Sequence, residues 1–283
     1  MDFFAGIDGT GVGDNALYAK DFAESFVHQL YGSNRFGLRY YSRGPTWEGS
    51  TTRRIAANMH REIETRLHNR GARPVSRMIL AGYSRGGAAV IHLARELQAH
   101  KHTVDCLLLF DAVDMTWTLE AERIPANVRH VFHARRNPAS RSRTSWGNCG
   151  KVVEDPRRTR YTEQFFLCTH GGMGGTPWKV ADPDGIINES VTEQSVSDRL
   201  KSARNSGAAR LMRRMPMPFP LVPVPPTLPL DAADAANDAH RRASRTTITL
   251  ERDRSVSQAV GAWMFGNLDR TLSQKAKKLV PVG

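Results

Sequence analysis

Residues 76–89 read SRMILAGYSRGGAA. Met78-Ile79-Leu80-Ala81 is a short apolar run, Gly82-Tyr83-Ser84-Arg85-Gly86 is a turn, and Gly87-Ala88-Ala89 opens an amphipathic segment reaching about Gln98. A strand that passes into a helix through G-x-S-x-G has the form of a nucleophile elbow. The turn is so tight that only glycine fits two positions to either side of the serine. It lifts the serine Oγ out of the sheet and sets it over the start of the next helix, where the N-terminus favours developing negative charge. The pentapeptide alone arises by chance in many chains, and its plain reading is a strand-to-helix turn with a capping serine. The strand before it and the small residues after it favour Ser84 as a nucleophile.

Outward from this turn, strands and helices alternate. Residues 2–7 (DFFAGI) form a short buried strand, followed by the loop Asp8-Gly9-Thr10-Gly11-Val12-Gly13. A helix capped by Asp14 or Asn15 runs to about Leu30, with Leu17, Phe22, Phe26 and Leu30 near helical spacing. Leu38–Tyr41 is a second strand and Ser42–Gly49 a loop by composition. Ser50 or Thr51 caps a helix carrying Ile55, Met59, Ile63 and Leu67, ended by Asn69-Arg70-Gly71. Beyond the elbow, Val104–Phe110 (VDCLLLF), Val128–Ala134 and Gln164–Cys168 are further strands. Strands joined through helices imply right-handed crossovers and a mainly parallel sheet covered on both faces. All such strands end on one edge, where sites form.

A serine nucleophile needs a base and a group that holds the base, here in the order Ser, acid, His. Asp111 follows directly on the strand ending at Phe110, and Asp114 is the runner-up. The strand through His133 ends without an acid. His170 follows the last strand among glycines, which suits an imidazole reaching across the sheet edge. Most of the ten histidines lie on expected helices or solvent-facing positions, among them His28, His60, His68, His92, His100 and His102; His133, at a strand end, is the rival base. The oxyanion hole needs two backbone N–H groups. Arg85 supplies one, and the loop after the first strand supplies the other, with Gly9 ahead of Thr10. Asp8-Gly9-Thr10 also invites comparison with phosphatases that carry Asp-x-Asp-Gly-Thr. Their nucleophilic aspartate is Gly6 here, so no aspartyl-phosphate can form.

The 283 residues carry a net charge of +12 and are 40% hydrophobic, enough for one α/β domain with an appendage. The charge attracts anionic partners such as a lipid surface, while no nucleic-acid-binding motif accompanies it. Arginines crowd residues 135–160, as a solvated basic loop or as a rim for an anionic substrate. The cysteines Cys106, Cys149 and Cys168 are odd in number and lack metal spacing, so a reduced compartment fits and Cys168 is not read as catalytic. No cofactor and no metal are expected. No window is long and apolar enough to span a membrane, and the N-terminus lacks the pattern of a Sec signal. A cytoplasmic location, or export without such a signal, is expected. The catalytic domain is expected over 1–213. A proline-rich strap (MPMPFPLVPVPPTLPL, 215–230), following a polar, helix-like stretch over 188–214, and a helix with Val260, Trp263, Met264 and Leu268 on one face make up 214–283.

Ile7-Asp8-Gly9-Thr10, Tyr41-Ser42-Arg43-Gly44, Gly82–Gly86, Phe110-Asp111-Ala112-Val113 and Thr169-His170-Gly171-Gly172-Met173-Gly174-Gly175 occur in this order. The set resembles the α/β-hydrolase domain of type VI secretion lipase effectors and their bacterial relatives, over roughly residues 2–178. Those proteins carry an Asp-Gly-Thr loop, a Gly-Phe-Ser-Arg-Gly elbow, a Trp-Asp-Thr-Val acid motif and a His-x-x-x-Gly-Gly motif. Tyr83 stands here in place of their phenylalanine, and Phe110–Val113 matches only in part. The resemblance implies a Ser84–Asp111–His170 triad acting on lipid or phospholipid esters, with a secretion apparatus or an immunity protein as further partners. Hydrolysis of soluble esters or thioesters, and a non-catalytic binding domain, are the alternatives.

Overall fold

The computed structural model describes residues 1–69, 74–114, 119–190 and 241–274. The proline-rich stretch and the polar segment from 191 lie outside these residues. In chain order the elements are β1 (Asp2–Ile7), α1 (Asn15–Asp21), α2 (Phe26–Gly32), β2 (Leu38–Ser42), α3 (Thr52–His68), β3 (Arg77–Tyr83), α4 (Arg85–Ala99) and β4 (Val104–Phe110). They continue with β5 (Arg123–Ile124), β6 (Val128–Arg136), β7 (Val152–Val153), β8 (Arg160–Phe166), α5 (His170–Met173), β9 (Ile186–Asn188), β10 (Arg245–Thr249) and α6 (Leu250–Ser273).

Six strands form one sheet in the order β2-β1-β3-β4-β6-β8, and every pair in it is parallel. Side chains alternate across it, as the two-residue period of a strand requires. Phe3, Ala5, Ile7, Leu80, Leu107 and Leu109 face α3 and α4, with Met59, Ile63, Leu93 and Leu97 in the same cluster. Phe4, Ile79, Ala81, Leu108 and Phe110 face the other layer, made by Phe22, Phe26 and Leu30 of the N-terminal segment and by Val260, Met264 and Leu268 of α6. Burial on both faces explains why VDCLLLF is apolar without alternation. The layers, the parallel sheet and the strand–turn–helix at Ser84 make this an α/β-hydrolase fold.

Three sequence expectations change. The single helix from Asp14 to Leu30 is two helices, because Ser25 leaves the helical path. Its Oγ accepts from His28 N–H, capping α2, and donates to the buried Asp8. A tertiary hydrogen bond outweighs helical periodicity there. The last large strand begins at Arg160 rather than Gln164. It is the sheet edge, half exposed, so its first residues are polar and give no apolar run. The C-terminal helix, expected as an appendage, packs its apolar stripe into the main core against β4 and β6.

Chain order gives the sheet a switch point. β1 is followed by β2 on one side and by β3 on the other. The loops after β1 and β3 therefore diverge at the same edge and open a crevice between them. Thr10 and Ser84 stand on these two loops.

Candidate active site

Ser84 is held by the close approach of backbones. A methyl group at Gly82 would strike the Gly86 carbonyl, and one at Gly86 would strike the carbonyls of Ile7 and Asp8. Glycine is required at both positions, since nothing bulkier fits where two chain segments touch. The serine itself has φ 56° and ψ −129°, a backbone region that costs a non-glycine residue energy and marks functional turns. Its N–H donates to Phe110 O at 3.1 Å, and its carbonyl accepts from Gly87 N–H at 2.9 Å and Val113 N–H at 3.0 Å. Its side chain makes no capping bond to α4. The plain capping reading therefore fails, and Oγ points elsewhere.

It points at His170. Ser84 Oγ lies 2.9 Å from His170 Nε2, and His170 Nδ1 lies 2.6 Å from Asp111 Oδ2. All three residues are buried. Asp111 Oδ1 also accepts from Asn148 Nδ2 at 2.6 Å and from Arg136 N–H at 3.2 Å. The Arg136 guanidinium reaches Asp111 Oδ2 at 3.0 Å and passes 3.2 Å from His170 Nδ1. With the proton on Nδ1, ring and guanidinium both donate to one carboxylate oxygen. That tautomer leaves Nε2 free to accept from the serine hydroxyl.

The charges are poised accordingly. Burial works to raise Asp111, but the Arg136 cation and the His170 hydrogen bond overcome it and hold the carboxyl well below the usual range. Burial lowers His170; the Asp111 hydrogen bond opposes that, while the Arg136 and Arg143 cations add to it. The imidazole is therefore neutral at pH 7, as a base must be.

The His170 loop is fastened from several sides. Ser142 Oγ accepts from His170 N–H at 2.8 Å, and Tyr83 Oη donates to His170 O at 2.9 Å with its ring tilted 5.0 Å from the imidazole. Trp146 meets the imidazole edge-on at 5.1 Å. Asp253 on α6 accepts from Thr169 N–H at 2.7 Å, from Thr169 Oγ1 at 2.9 Å and from Trp178 N–H at 2.9 Å. Tyr83, which departs from the phenylalanine of the resembling elbow, thus ties elbow to base loop.

The Asp-Gly-Thr loop corrects one expectation. Gly9 N–H donates to Asp8 Oδ1 at 2.9 Å, so it is not available to an oxyanion. Thr10, the second choice, lines the cleft together with Ser84 and His170. Its N–H has no hydrogen-bond partner among the described residues. Arg85 opens α4, where the first N–H groups lack intrahelical partners. The loop is braced by Tyr18 Oη, which donates to Gly9 O at 2.7 Å and accepts from Gly44 N–H at 2.7 Å.

The remaining candidates fall elsewhere. Asp114 stands where its charge acts on the Arg85 guanidinium, while the carboxylate on His170 is that of Asp111. His133, the rival base, is buried with Nδ1 3.1 Å from Tyr161 Oη and is pushed down to about 4 by burial. Burial pushes the Cys106, Cys149 and Cys168 thiols up, which disfavours thiolate chemistry. Of the arginines in 135–160, Arg136 is buried on Asp111, Arg143 lies 4.7 Å over the Trp146 ring, and Arg141, Arg157 and Arg158 are exposed.

Sequence reasoning missed Arg136, Asn148, Ser142 and Asp253. Arg136 ends β6 and looks like one more member of a basic run. Asp253 sits in the first turn of a helix, where an acid is ordinary. Nothing local marks either one. Above the serine, the cleft measures about 180 Å3 and is walled by Phe22, Trp47, Tyr83, Trp146 and Trp178, with Arg143 and Glu189 as its charged lining.

No protein-family model matches the chain, and no curated protein matches it. Solved structures similar to it include a cutinase-like protein from Cryptococcus sp., 19% identical over 44% of this chain and 59% of that one, with a TM-score of 0.28. A YdeN-like hydrolase from Pectobacterium atrosepticum is 16% identical over 62% of this chain and 85% of that one, with a TM-score of 0.35. An uncharacterized protein from Pseudomonas aeruginosa is 14% identical over 98% of this chain and 62% of that one, with a TM-score of 0.41. This chain thus spans less than two thirds of the cutinase-like and Pseudomonas proteins.

Proposed function

We propose that the protein is a serine hydrolase of carboxylic esters. The observation that carries this reading is the pair of hydrogen bonds from Ser84 to His170 and from His170 to Asp111, closed by residues from three strand ends. His170 Nε2 takes the hydroxyl proton as Ser84 Oγ bonds to the ester carbonyl carbon. The oxyanion faces the N–H groups of Arg85 and Thr10. Collapse breaks the ester C–O bond, and His170 returns the proton to the leaving alkoxide. Water then repeats the sequence on the acyl-serine and releases the acid.

The aromatic walls suit an apolar acyl group. Lipid or phospholipid esters are the leading substrate class, supported by those walls, by the net charge of +12 that draws the chain to anionic surfaces, and by the lipase resemblance. A soluble short-chain ester is the second reading, favoured by the cleft volume of about 180 Å3. Small-molecule sites usually measure about 300 Å3 or more.

The test is labelling by a fluorophosphonate probe, followed by a chain-length series of esters in micelles and in free solution. Wild type is expected to label and Ser84→Ala not to label, with kcat reduced at least about 10^4-fold. Equal labelling of the two overturns the triad. A rate that rises at a lipid interface supports the lipid reading, and turnover restricted to short soluble esters supports the second.

A further inference from the structure

At the end of α4 far from Ser84, four side chains converge that the ester chemistry does not use. His60 and Glu64 lie one turn apart on α3, so they share a face of that helix. His100 caps the C-terminus of α4, and His102 follows two residues on. The intervening Lys101 has φ 62°, in the left-handed region. Lys101 N–H donates to Gln98 O at 2.9 Å and His102 N–H to Leu97 O at 2.9 Å, which together close a Schellman turn. Glycine normally takes that left-handed position. Here a lysine is held there, and the turn delivers both flanking histidines to Glu64.

The distances do not describe an ordinary ion pair. Glu64 Oε1 lies 2.9 Å from His102 Nε2, 3.3 Å from His60 Nε2 and 3.9 Å from His100 Nδ1. Yet Glu64 Oε1 and His60 Nε2 are both buried with no hydrogen-bond partner. The nitrogens approach the oxygen but do not donate to it in line. The ligand atoms of His60, Glu64 and His100 all lie within 4.8 Å of one another. Two ligands about 2.0–2.1 Å from a tetrahedral zinc ion sit roughly 3.3 Å apart, so the group needs little closure to share one ion. Buried polar atoms that are close but unpaired are what a common cation would satisfy.

We propose that His60, Glu64 and His100 bind a borderline divalent transition metal, zinc foremost, with His102 completing or orienting the set. Imidazole nitrogens with one carboxylate oxygen select zinc over calcium or magnesium, which take oxygen ligands. Glu64 Oε2, the oxygen left over, is 3.4 Å from His68 Nδ1, whose nearer partner is the Glu64 backbone carbonyl at 2.9 Å. The site joins α3 to the end of α4, about 24 Å along that helix from the serine. Its role is to fasten two helices of one layer, and it does not depend on the ester-hydrolase reading.

The experiment uses the full chain without a histidine tag. Zinc stoichiometry and affinity are measured by competition with a chromophoric chelator, beside thermal unfolding with zinc, calcium or chelator. Wild type is expected to hold one zinc per chain and to unfold at higher temperature with zinc, whereas calcium has no effect. Glu64→Gln, which preserves side-chain shape, and His60→Ala are expected to lose both zinc and the zinc-dependent shift. His102→Ala weakens binding roughly tenfold, the low end of losses for an orienting group. Far-ultraviolet circular dichroism reports that each variant remains folded, and where His60→Ala fails it, Glu64→Gln and the wild-type titration decide. The proposal is overturned if wild type holds no stoichiometric zinc, or if Glu64→Gln keeps it as tightly.

Discussion

Asp8 and Asp111 each follow a parallel strand at the same edge of one sheet, and each is fully buried, yet they ionise in opposite directions. Asp8 is pushed up to about 6 because burial strips its water. Hydrogen bonds from Ser25, Gly9 and Tyr41 recover only part of that loss. Asp111 is equally dry, but the Arg136 guanidinium and the His170 ring lie against it and hold it low. Hydroxyls and an amide satisfy lone pairs, whereas a buried cation also stabilises charge. One aspartate thus braces a loop, and the other can support a positive imidazolium.

The sharpest way to break this contrast is to neutralise each acid in turn. Asp111→Asn is expected to lower kcat by about 10^4-fold, because an amide no longer fixes the productive tautomer. Asp8→Asn is expected to leave kcat within about tenfold, or 1.4 kcal/mol. Steady-state kinetics on one nitrophenyl ester decides both, and equal losses would erase the distinction.

Removing the cation tests its cause. Arg136→Leu is expected to cost about 3–5 kcal/mol in urea unfolding, since it strands a buried carboxylate. Wild-type kcat/KM is expected to hold down to a pH below the ordinary imidazole value of about 6.5, because burial lowers His170. Without the Arg136 charge the acid limb moves upward, towards neutral pH. Arg136→Lys, which keeps the charge but not the fork, should fall between the two.

Asp8 leaves its mark on stability. Its folded value of about 6 exceeds the reference of 3.8, so the folded state holds the proton more tightly. The stabilising effect is complete below about pH 4 and is lost as pH rises through 6, with a total of about 3 kcal/mol. Asp8→Asn removes that dependence. The variant should therefore gain stability over wild type between pH 4 and 7, measured by urea titration at each pH. A constant difference across that range would refute the assignment.

The smallest effect lies between the two acids. Burial raises the Tyr83 hydroxyl, and the charges of both Asp111 and Asp8 raise it further. Tyr83→Phe loses the bond to His170 O and should cost about 1 kcal/mol of stability with a modest fall in kcat. Unchanged values would show that the ring packing alone holds the base loop.

Much of this edge was legible in the residues themselves. Apolar runs with helices between them specify parallel strands, and an elbow needs only five consecutive residues. A residue at or shortly past a strand end lands at the sheet edge whatever the packing, which is why Ser84, Asp111 and His170 could be expected there together. That the Gly9 amide is taken up within its own loop was not legible, because it depends on the Asp8 carboxylate folding back onto it. The break between α1 and α2 was hidden for the same reason, since Ser25 answers to Asp8 across 17 residues.

The residues themselves determined the strand order along the chain, the tight turn that holds a serine between glycines, and a carboxylate and an imidazole at later strand ends. These follow from local sterics and from a period of two or 3.6 residues. Which distant group faces which acid was set by packing through space. Arg136 lies 25 residues from Asp111, Asp253 lies 84 from Thr169, and His100 lies 36 from Glu64. Electrostatic partners are set by distance through space, and chain neighbours carry no record of it.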